Sequence, residues 1–250
     1  MSIIQTFYDQ MAPQYDKLFA HWDATVQEQA ALLDGLFAQN GFRRCDTILD
    51  CACGIGTQAI GLAALGYPVT ASDLSEGALL QAQERAAKQG LQIRFEQADF
   101  CYLSKFFSQQ FQIVIAMDNA LPHMLTKKDL SAAVESIIAR VARGGLFVAS
   151  IRDYDALLSK PPYSPPYIHQ TTHGQRVAFQ TWRWEGENYR LVQYIIEDGE
   201  ALHTSKFECE YRATRREELT QLLTQNGCRS VTWLFPEETG FYQPIVVAKK

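Results

Sequence analysis

Between Thr47 and Ser150 the chain alternates short apolar runs with amphipathic stretches, and this alternation constrains the fold more than any other feature. The apolar runs are Thr47–Ala52, Pro68–Ser72, Ile93–Glu96, Phe111–Ala116 and Leu146–Ser150. Helical stretches run over Gln58–Leu65, Glu76–Gln89 and Leu130–Arg140, with Gly66 and Gly90 placed to stop the first two. Strands and helices that alternate through short links specify a doubly wound parallel sheet. Right-handed crossovers then put helices on both faces. Ligands of such sheets sit beyond the carboxyl ends of the strands, at the switch point beside the first strand.

The flanks have a different character. Residues Met1–Asn40 read as helical, with Val26, Ala30, Leu33 and Phe37 at helical spacing. After Ser150 comes a proline-rich loop, Lys160–Pro166, which can continue neither a helix nor a central strand. Val177–Trp184, Tyr189–Glu197 and Leu202–Tyr211 then read as antiparallel strands, followed by a helix over Arg215–Gln225. Val231–Phe235 and Ile245–Ala248 form a last antiparallel pair closing the main sheet. The expected fold is α/β: a Rossmann-like, doubly wound seven-stranded sheet carrying an inserted antiparallel β element.

Composition narrows the function classes. The 250 residues are 47% hydrophobic and 20% charged, which suits one large α/β domain or one domain with an insertion. The net charge of −5, without a basic stripe, argues against a nucleic-acid backbone as partner. No apolar run approaches the ~20 residues needed to span a bilayer, so no membrane association is expected. The first ten residues lack a basic n-region and an apolar h-region, so no signal peptide is expected and the expected location is cytoplasmic. Six cysteines without paired CxxC spacing fit reduced thiols there. Cys51-x-Cys53 supplies only two ligands with no cluster to complete a tetrahedron, so no metal is expected. The pattern leaves monomer and homo-oligomer open.

The first strand runs into Asp50-Cys-Ala-Cys-Gly54-Ile-Gly56. Two glycines one residue apart let backbone approach a ligand without a Cβ clash. Gly56 opens a helix whose amides favour electron-rich groups. The second strand ends on Asp73, 17 positions after Gly56, where a carboxylate can accept both hydroxyls of a ribose. Gly54-x-Gly56-x-x-Ala59 also fits the dinucleotide fingerprint, so a nicotinamide oxidoreductase competes. Asp50 weighs against it. Like charges at ~4 Å repel by roughly 4 kcal/mol at an intermediate effective dielectric, so a carboxylate at the loop mouth would oppose a pyrophosphate. It suits a ligand carrying an ammonium and a sulfonium.

Asp50-x-x-x-Gly54-x-Gly56 followed by Asp73 resembles the first two motifs of the class I S-adenosylmethionine-dependent methyltransferases. Ala98-Asp99-Phe100 resembles the segment that edges the adenine in that family, and Ile113–Asn119 its fourth motif. Arg143-Gly144-Gly145-Leu-Phe-Val resembles the glycine turn before its fifth strand. The resemblance implies S-adenosylmethionine as cofactor and a small-molecule acceptor. It implies cofactor contacts from Asp50, Ala52, Gly54, Gly56, Asp73 and Leu74, from Ala98, Asp99, Phe100 and Met117, and from a lid carrying Tyr15 and Trp22. On this reading residues 1–40 are a helical lid and 41–152 the cofactor-binding core. Residues 153–212 form the inserted substrate element, and 213–250 complete the sheet.

A narrower resemblance rests on Asp50-Cys-Ala-Cys-Gly-Ile-Gly, Asp118-Asn119-Ala-Leu-Pro-His123 and Ile151-Arg152-Asp153-Tyr154-Asp155. These are similar to the D-x-A-C-G-T-G, G-N-S-x-x-H and R-N-Y-D segments of glycine and sarcosine N-methyltransferases. That resemblance implies that Arg152 clamps a substrate carboxylate and Asn119 faces the substrate. The family's arginine for the methionine carboxylate has no counterpart in His21–Ala30, so Gln27 or a backbone amide must serve.

Methyl transfer is an in-line displacement that asks mainly for positioning and exclusion of water. An amine nucleophile must be neutral, and His123, with an ordinary pKa near ~6.5, is the candidate proton acceptor. A guanidinium binds a carboxylate through two parallel hydrogen bonds, unless Arg152 is spent on Asp153 or Asp155. Most aromatics of the second half, Tyr163 among them, read as core. Tyr8 on the lid, Tyr211 at a strand end and Tyr242 before the last strand are the candidates to line the substrate site. N-methylation of an amino-acid-like amine is the preferred reading, with O-methylation of a phenol or carboxylate as the alternative and a non-catalytic S-adenosylmethionine-binding module as a third.

Overall fold

The computed structural model describes residues 3–158, 166–172 and 174–250. Most of the expected proline-rich loop, with Tyr163, lies outside the described residues.

The apolar runs become a central sheet of β1 (Ile48–Asp50), β2 (Val69–Asp73), β3 (Arg94–Gln97), β4 (Phe111–Ala116) and β5 (Val141–Ser150). β10 (Ser230–Leu234) and β11 (Ile245–Lys249) complete it in the order β10-β11-β5-β4-β1-β2-β3. The five Rossmann-like strands pair in parallel, and β11 runs antiparallel to both β5 and β10. Strand order reverses between β4 and β1, and the crevice above that point receives the loop after β1.

The interleaved helices are α3 (Thr57–Ala64), α4 (Glu76–Lys88) and α5 (Lys127–Arg140). Ser75 caps α4 by accepting the Ala78 amide at 2.9 Å, and Thr126 caps α5 by accepting the Asp129 amide at 3.1 Å. The Thr126 cap starts α5 one turn before the Leu130 expected from periodicity. Strand β5 also begins earlier than Leu146. The glycine pair lies inside it, where Gly144 takes φ +77° and the pairing with β4 shifts register between Phe111 and Ile113.

The N-terminal region divides into α1 (Ile3–Met11), a 3-10 turn over Ala12–Leu18 and α2 (Trp22–Gln39), rather than one continuous helical run. Pro13 explains the break, because it has no amide hydrogen to continue the α1 ladder.

The insertion contributes a short α6 (Tyr154–Leu157) and a separate antiparallel sheet of four strands rather than the expected three. These are β6 (Tyr167–Thr171), β7 (Gly174–Glu185), β8 (Asn188–Asp198) and β9 (Leu202–Arg212). α7 (Arg216–Gln225) and α8 (Pro236–Thr239) follow. One face of this sheet packs against α1 and the start of the insertion, in a core of Phe7, Met11, Ile151, Tyr154, Tyr189, Leu191 and Tyr211. The α1 helix is also tied to the sheet core. Asp9 accepts from the Ser75 hydroxyl at 2.6 Å and the Gly77 amide at 3.0 Å, at the head of α4. Lys17 pairs with Glu197 at 2.6 Å and Gln14 accepts from Ser205 at 3.0 Å, so the N-terminal segment bridges core and insertion.

Candidate active site

A cleft opens over the carboxyl ends of β1, β2 and β4. It is lined by Ala52 and Gly54 from the loop after β1, Asp73 and Leu74 from the end of β2, Asp99 and Phe100 after β3, and Met117 after β4. Tyr8 and Tyr15 of the N-terminal segment, with His123 after β4, close it. Gly54 takes φ +53° and Gly56 φ +93°, both in the left-handed region that favours glycine. A Cβ on Gly54 would meet no protein atom within 4 Å and would project into open cleft. A Cβ on Gly56 would lie 2.8 Å from Ile60, so that glycine serves helix packing.

Asp50 lies behind this floor, fully buried. One carboxylate oxygen takes only a long 3.4 Å bond from the Ala52 amide, and the other has no partner. Burial pushes its carboxyl well above the ordinary range, with Asp73 and Asp118 adding to the effect. Asp73 accepts the Gly54 amide at 2.8 Å and the Ser75 amide at 2.9 Å; burial raises it and these bonds oppose the rise. Each of its oxygens keeps a lone pair for a ribose hydroxyl. A cleft lined by the carboxylates of Asp73, Asp99 and Asp118, with the orphaned oxygen of Asp50 buried behind its floor, fits a cationic ligand. These residues therefore fit S-adenosylmethionine, which carries an ammonium and a sulfonium, and oppose a pyrophosphate.

Four expected cofactor residues stand off the cleft wall, Asp50 behind the floor among them. Gly56 and Ala98 are buried behind it, Ala98 donating its amide to the Asp73 carbonyl at 3.0 Å. Trp22 does not line the cleft but packs behind it, beside Tyr15 and Ile55. Its indole donates to Thr57 at 3.3 Å and its ring lies 5.0 Å from the Arg85 guanidinium, so it anchors α2 on the outer face. Gln27 is exposed on that same face. The inward glutamine is Gln29, buried and accepting from Gln58 at 2.6 Å.

A second chamber adjoins the cleft and is roofed by the insertion. Arg152, half-buried, stands in its wall with its guanidinium 4.6 Å from the Trp182 ring and 5.2 Å from that of Tyr211. Its Nη1 donates to the Tyr189 hydroxyl at 2.6 Å. Among the described residues no carboxylate lies within 4.0 Å of it, since Asp153 and Asp155 pair with Arg216 instead. A chain of bonds ties Arg152 to Asn119. The Tyr189 and Tyr154 hydroxyls are 2.9 Å apart, Tyr154 donates to Asn119 Oδ1 at 3.0 Å, and that oxygen also accepts the Arg152 amide at 3.0 Å. Asn119 is thus buried behind the chamber wall, and its Nδ2 has no partner.

His123 is buried on the cleft side. Its Nε2 lies 2.8 Å from the Tyr8 hydroxyl, its Nδ1 3.6 Å from Cys209 Sγ, and its ring 4.2 Å from that of Tyr211. Burial lowers its pKa to about 3, so the imidazole is neutral at physiological pH and a weak base. Tyr242, on the chamber side, donates to Asp118 Oδ1 at 2.7 Å.

Sequence reasoning did not single out Asp118, Gln58, Gln29 or Tyr189. Asp118 stands beside a chosen residue, but its position depends on a backbone turn with φ +56° that no residue pattern announces. The two glutamines meet across α2 and α3 and carry no motif.

Residues 48–145 match the methyltransferase domain family. The chain is 24% identical over 240 residues to a glycine/sarcosine N-methyltransferase of Parasynechococcus marenigrum (strain WH8102), covering 96% of this chain and 82% of that one. Its fold is similar to an S-adenosylmethionine-dependent methyltransferase from Clostridium acetobutylicum, with a TM-score of 0.77 at 20% identity over 97% of this chain and 98% of the other. It is also similar to an amino pentose methyltransferase from Micromonospora echinaspora solved with S-adenosylmethionine bound, with a TM-score of 0.74 at 18% identity over 90% and 91%.

Proposed function

We propose that the chain is a class I S-adenosylmethionine-dependent methyltransferase acting on a small molecule, and that it methylates the nitrogen of an amino-acid-like acceptor such as glycine or sarcosine. One observation carries the acceptor class. Arg152 presents a guanidinium to the chamber between two aromatic faces, with no protein carboxylate to neutralise it. A partly desolvated charge without a partner is costly, and a substrate carboxylate supplies that partner through two parallel hydrogen bonds. The relative aligned over nearly the whole chain carries an activity on amino acids of this kind in its name.

S-adenosylmethionine supplies, when bound, a methyl group activated by a sulfonium. Gly54, Asp73, Leu74, Asp99, Phe100 and Met117 would hold it, with Asp50 offering its orphaned oxygen from behind Ala52. The protein's own part is alignment and exclusion of water. Arg152 fixes the acid end of the acceptor. Asn119 acts through the tyrosine chain as a positioning residue that sets the height of Arg152. His123 holds the Tyr8 hydroxyl where the lid meets both cavities, and its low basicity suits that task better than taking a proton. Tyr8, Tyr15, Tyr211 and Tyr242 wall the chamber.

Release of S-adenosylhomocysteine by the purified chain, screened across glycine, sarcosine, dimethylglycine and simple phenols, tests the proposal. Turnover confined to the amino acids supports it; turnover of phenols alone transfers the reaction to oxygen and removes it.

A further inference from the structure

We propose that Asp118 binds the amine end of the acceptor, opposite the acid end held by Arg152. This rests on the amine half of the function proposed above. Three residues, Tyr8, Tyr15 and Asp118, line both the cofactor cleft and the substrate chamber, and Asp118 is the charged one. A methyl group passing from one cavity to the other crosses at this junction, so the accepting atom lies there. A carboxylate at that point recognises N–H groups and opposes a phenolate or an acid oxygen.

Asp118 has the capacity to do so. Its Oδ1 accepts from Tyr242 at 2.7 Å and its Oδ2 from Gln58 at 2.9 Å, which leaves each oxygen free to accept again. Among the described residues no Lys, Arg or His nitrogen lies within 4.0 Å of it, so its charge is unspent. Asp118 and Arg152 both line the chamber. The two charges therefore face one space and match the two ends of a zwitterion.

The backbone points the same way. Asp118 and Asn119 take φ +56° and +68°, the only non-glycine residues with positive φ among those described. A pair of such residues persists where the surroundings enforce it, and such strain gathers at functional sites. Here Ser150 enforces it. Its hydroxyl accepts the Asp118 amide at 2.8 Å, its carbonyl accepts the Asn119 amide at 3.0 Å, and Gln243 anchors the hydroxyl at 2.9 Å. Glycine would adopt this turn without strain, so the aspartate is held at a cost that an amine contact explains. The cofactor does not require it, because Asp73 and Asp99 already line that side.

Asp118→Asn and Asp118→Gly in the full chain test the assignment. Steady-state release of S-adenosylhomocysteine is measured with glycine and with ethanolamine, an amine without the acid, and S-adenosylmethionine affinity by titration calorimetry. The expected result is a KM for the accepted amine raised about 30-fold or more, with cofactor affinity within about threefold of wild type. The Asp118→Gly chain should unfold at no lower temperature than wild type, which separates lost binding from lost folding. An unchanged KM overturns the assignment. So does an equal loss of cofactor affinity, which would give Asp118 to the cofactor, and so does a wild-type enzyme that accepts no amine. A wild type that methylates ethanolamine as well as glycine removes the carboxylate clamp but leaves the Asp118 assignment to stand or fall on its own KM shift.

Discussion

The cofactor cleft and the substrate chamber share a wall yet are built on opposite principles. The cleft is lined by Asp73, Asp99 and Asp118, with Asp50 buried behind its floor, and takes its backbone from loops close in sequence to their strands. The chamber presents the Arg152 guanidinium among tyrosines and Trp182, brought together from the N-terminal segment, the insertion and the C-terminal turn, with Asp118 at its junction with the cleft. On the proposed function charge divides the labour here: the first cavity suits a sulfonium cofactor, while in the second Arg152 takes the acid end of the acceptor and Asp118, at the junction, its amine.

The largest break in that contrast comes from Arg152→Ala. Removing one member of a desolvated ion pair costs about 3–5 kcal/mol, so kcat/KM for the amino acid should fall between roughly a hundredfold and a few thousandfold. Cofactor affinity should stay within about threefold, because Arg152 lines the chamber and not the cleft. Asp50→Asn attacks the other wall. Hydrogen bonds to charged groups contribute about 1.5–3 kcal/mol, so calorimetry should show cofactor binding weakened by about one to two orders of magnitude. The unbound chain should unfold at no lower denaturant concentration, since a buried carboxylate with an unpaired oxygen has been neutralised.

The smallest effect concerns pH. His123 has a pKa of about 3 in the fold, below its ordinary 6.5, so the unfolded chain binds a proton that the folded chain refuses between those values. Stability from this group is therefore complete above pH 6.5 and lost as pH falls, by up to about 1.4 kcal/mol per pH unit. Asp50 and Asp73, whose carboxyls are raised, act in the opposite sense, so only a comparison isolates the histidine. Denaturation of His123→Asn against wild type from pH 6 to pH 4 should show the variant gaining on the wild type as pH falls. Parallel curves would mean that His123 is not held neutral.

The two regions also differed in how far they could be read in advance. The cleft was legible because its parts are local: Asp50, Gly54 and Gly56 lie in one loop, and Asp73 closes the neighbouring strand. The sheet was legible for the same reason, since period and glycine placement report single elements. Arg152 was legible as a residue but not in its surroundings, because Trp182, Tyr189 and Tyr211 come from strands whose register alone stacks them. Asp118 needed a backbone turn locked by Ser150 and Gln243, residues far apart in the chain. Trp22 and Gln27 stand on a face of α2 away from the cleft lining, which the resemblance alone did not specify. The fourth strand of the insertion escaped because Tyr167–Thr171 is mostly exposed and lacks apolar alternation.

The proposed function has the chamber select an acceptor bearing both an amine and a carboxylate. Its most direct measurement pairs glycine and sarcosine with glycinamide and sarcosinamide, which keep the amine and lose the charge, and compares kcat/KM for S-adenosylhomocysteine release. The account predicts that each acid is preferred over its amide by about a hundredfold or more. Equal rates for acid and amide would contradict it.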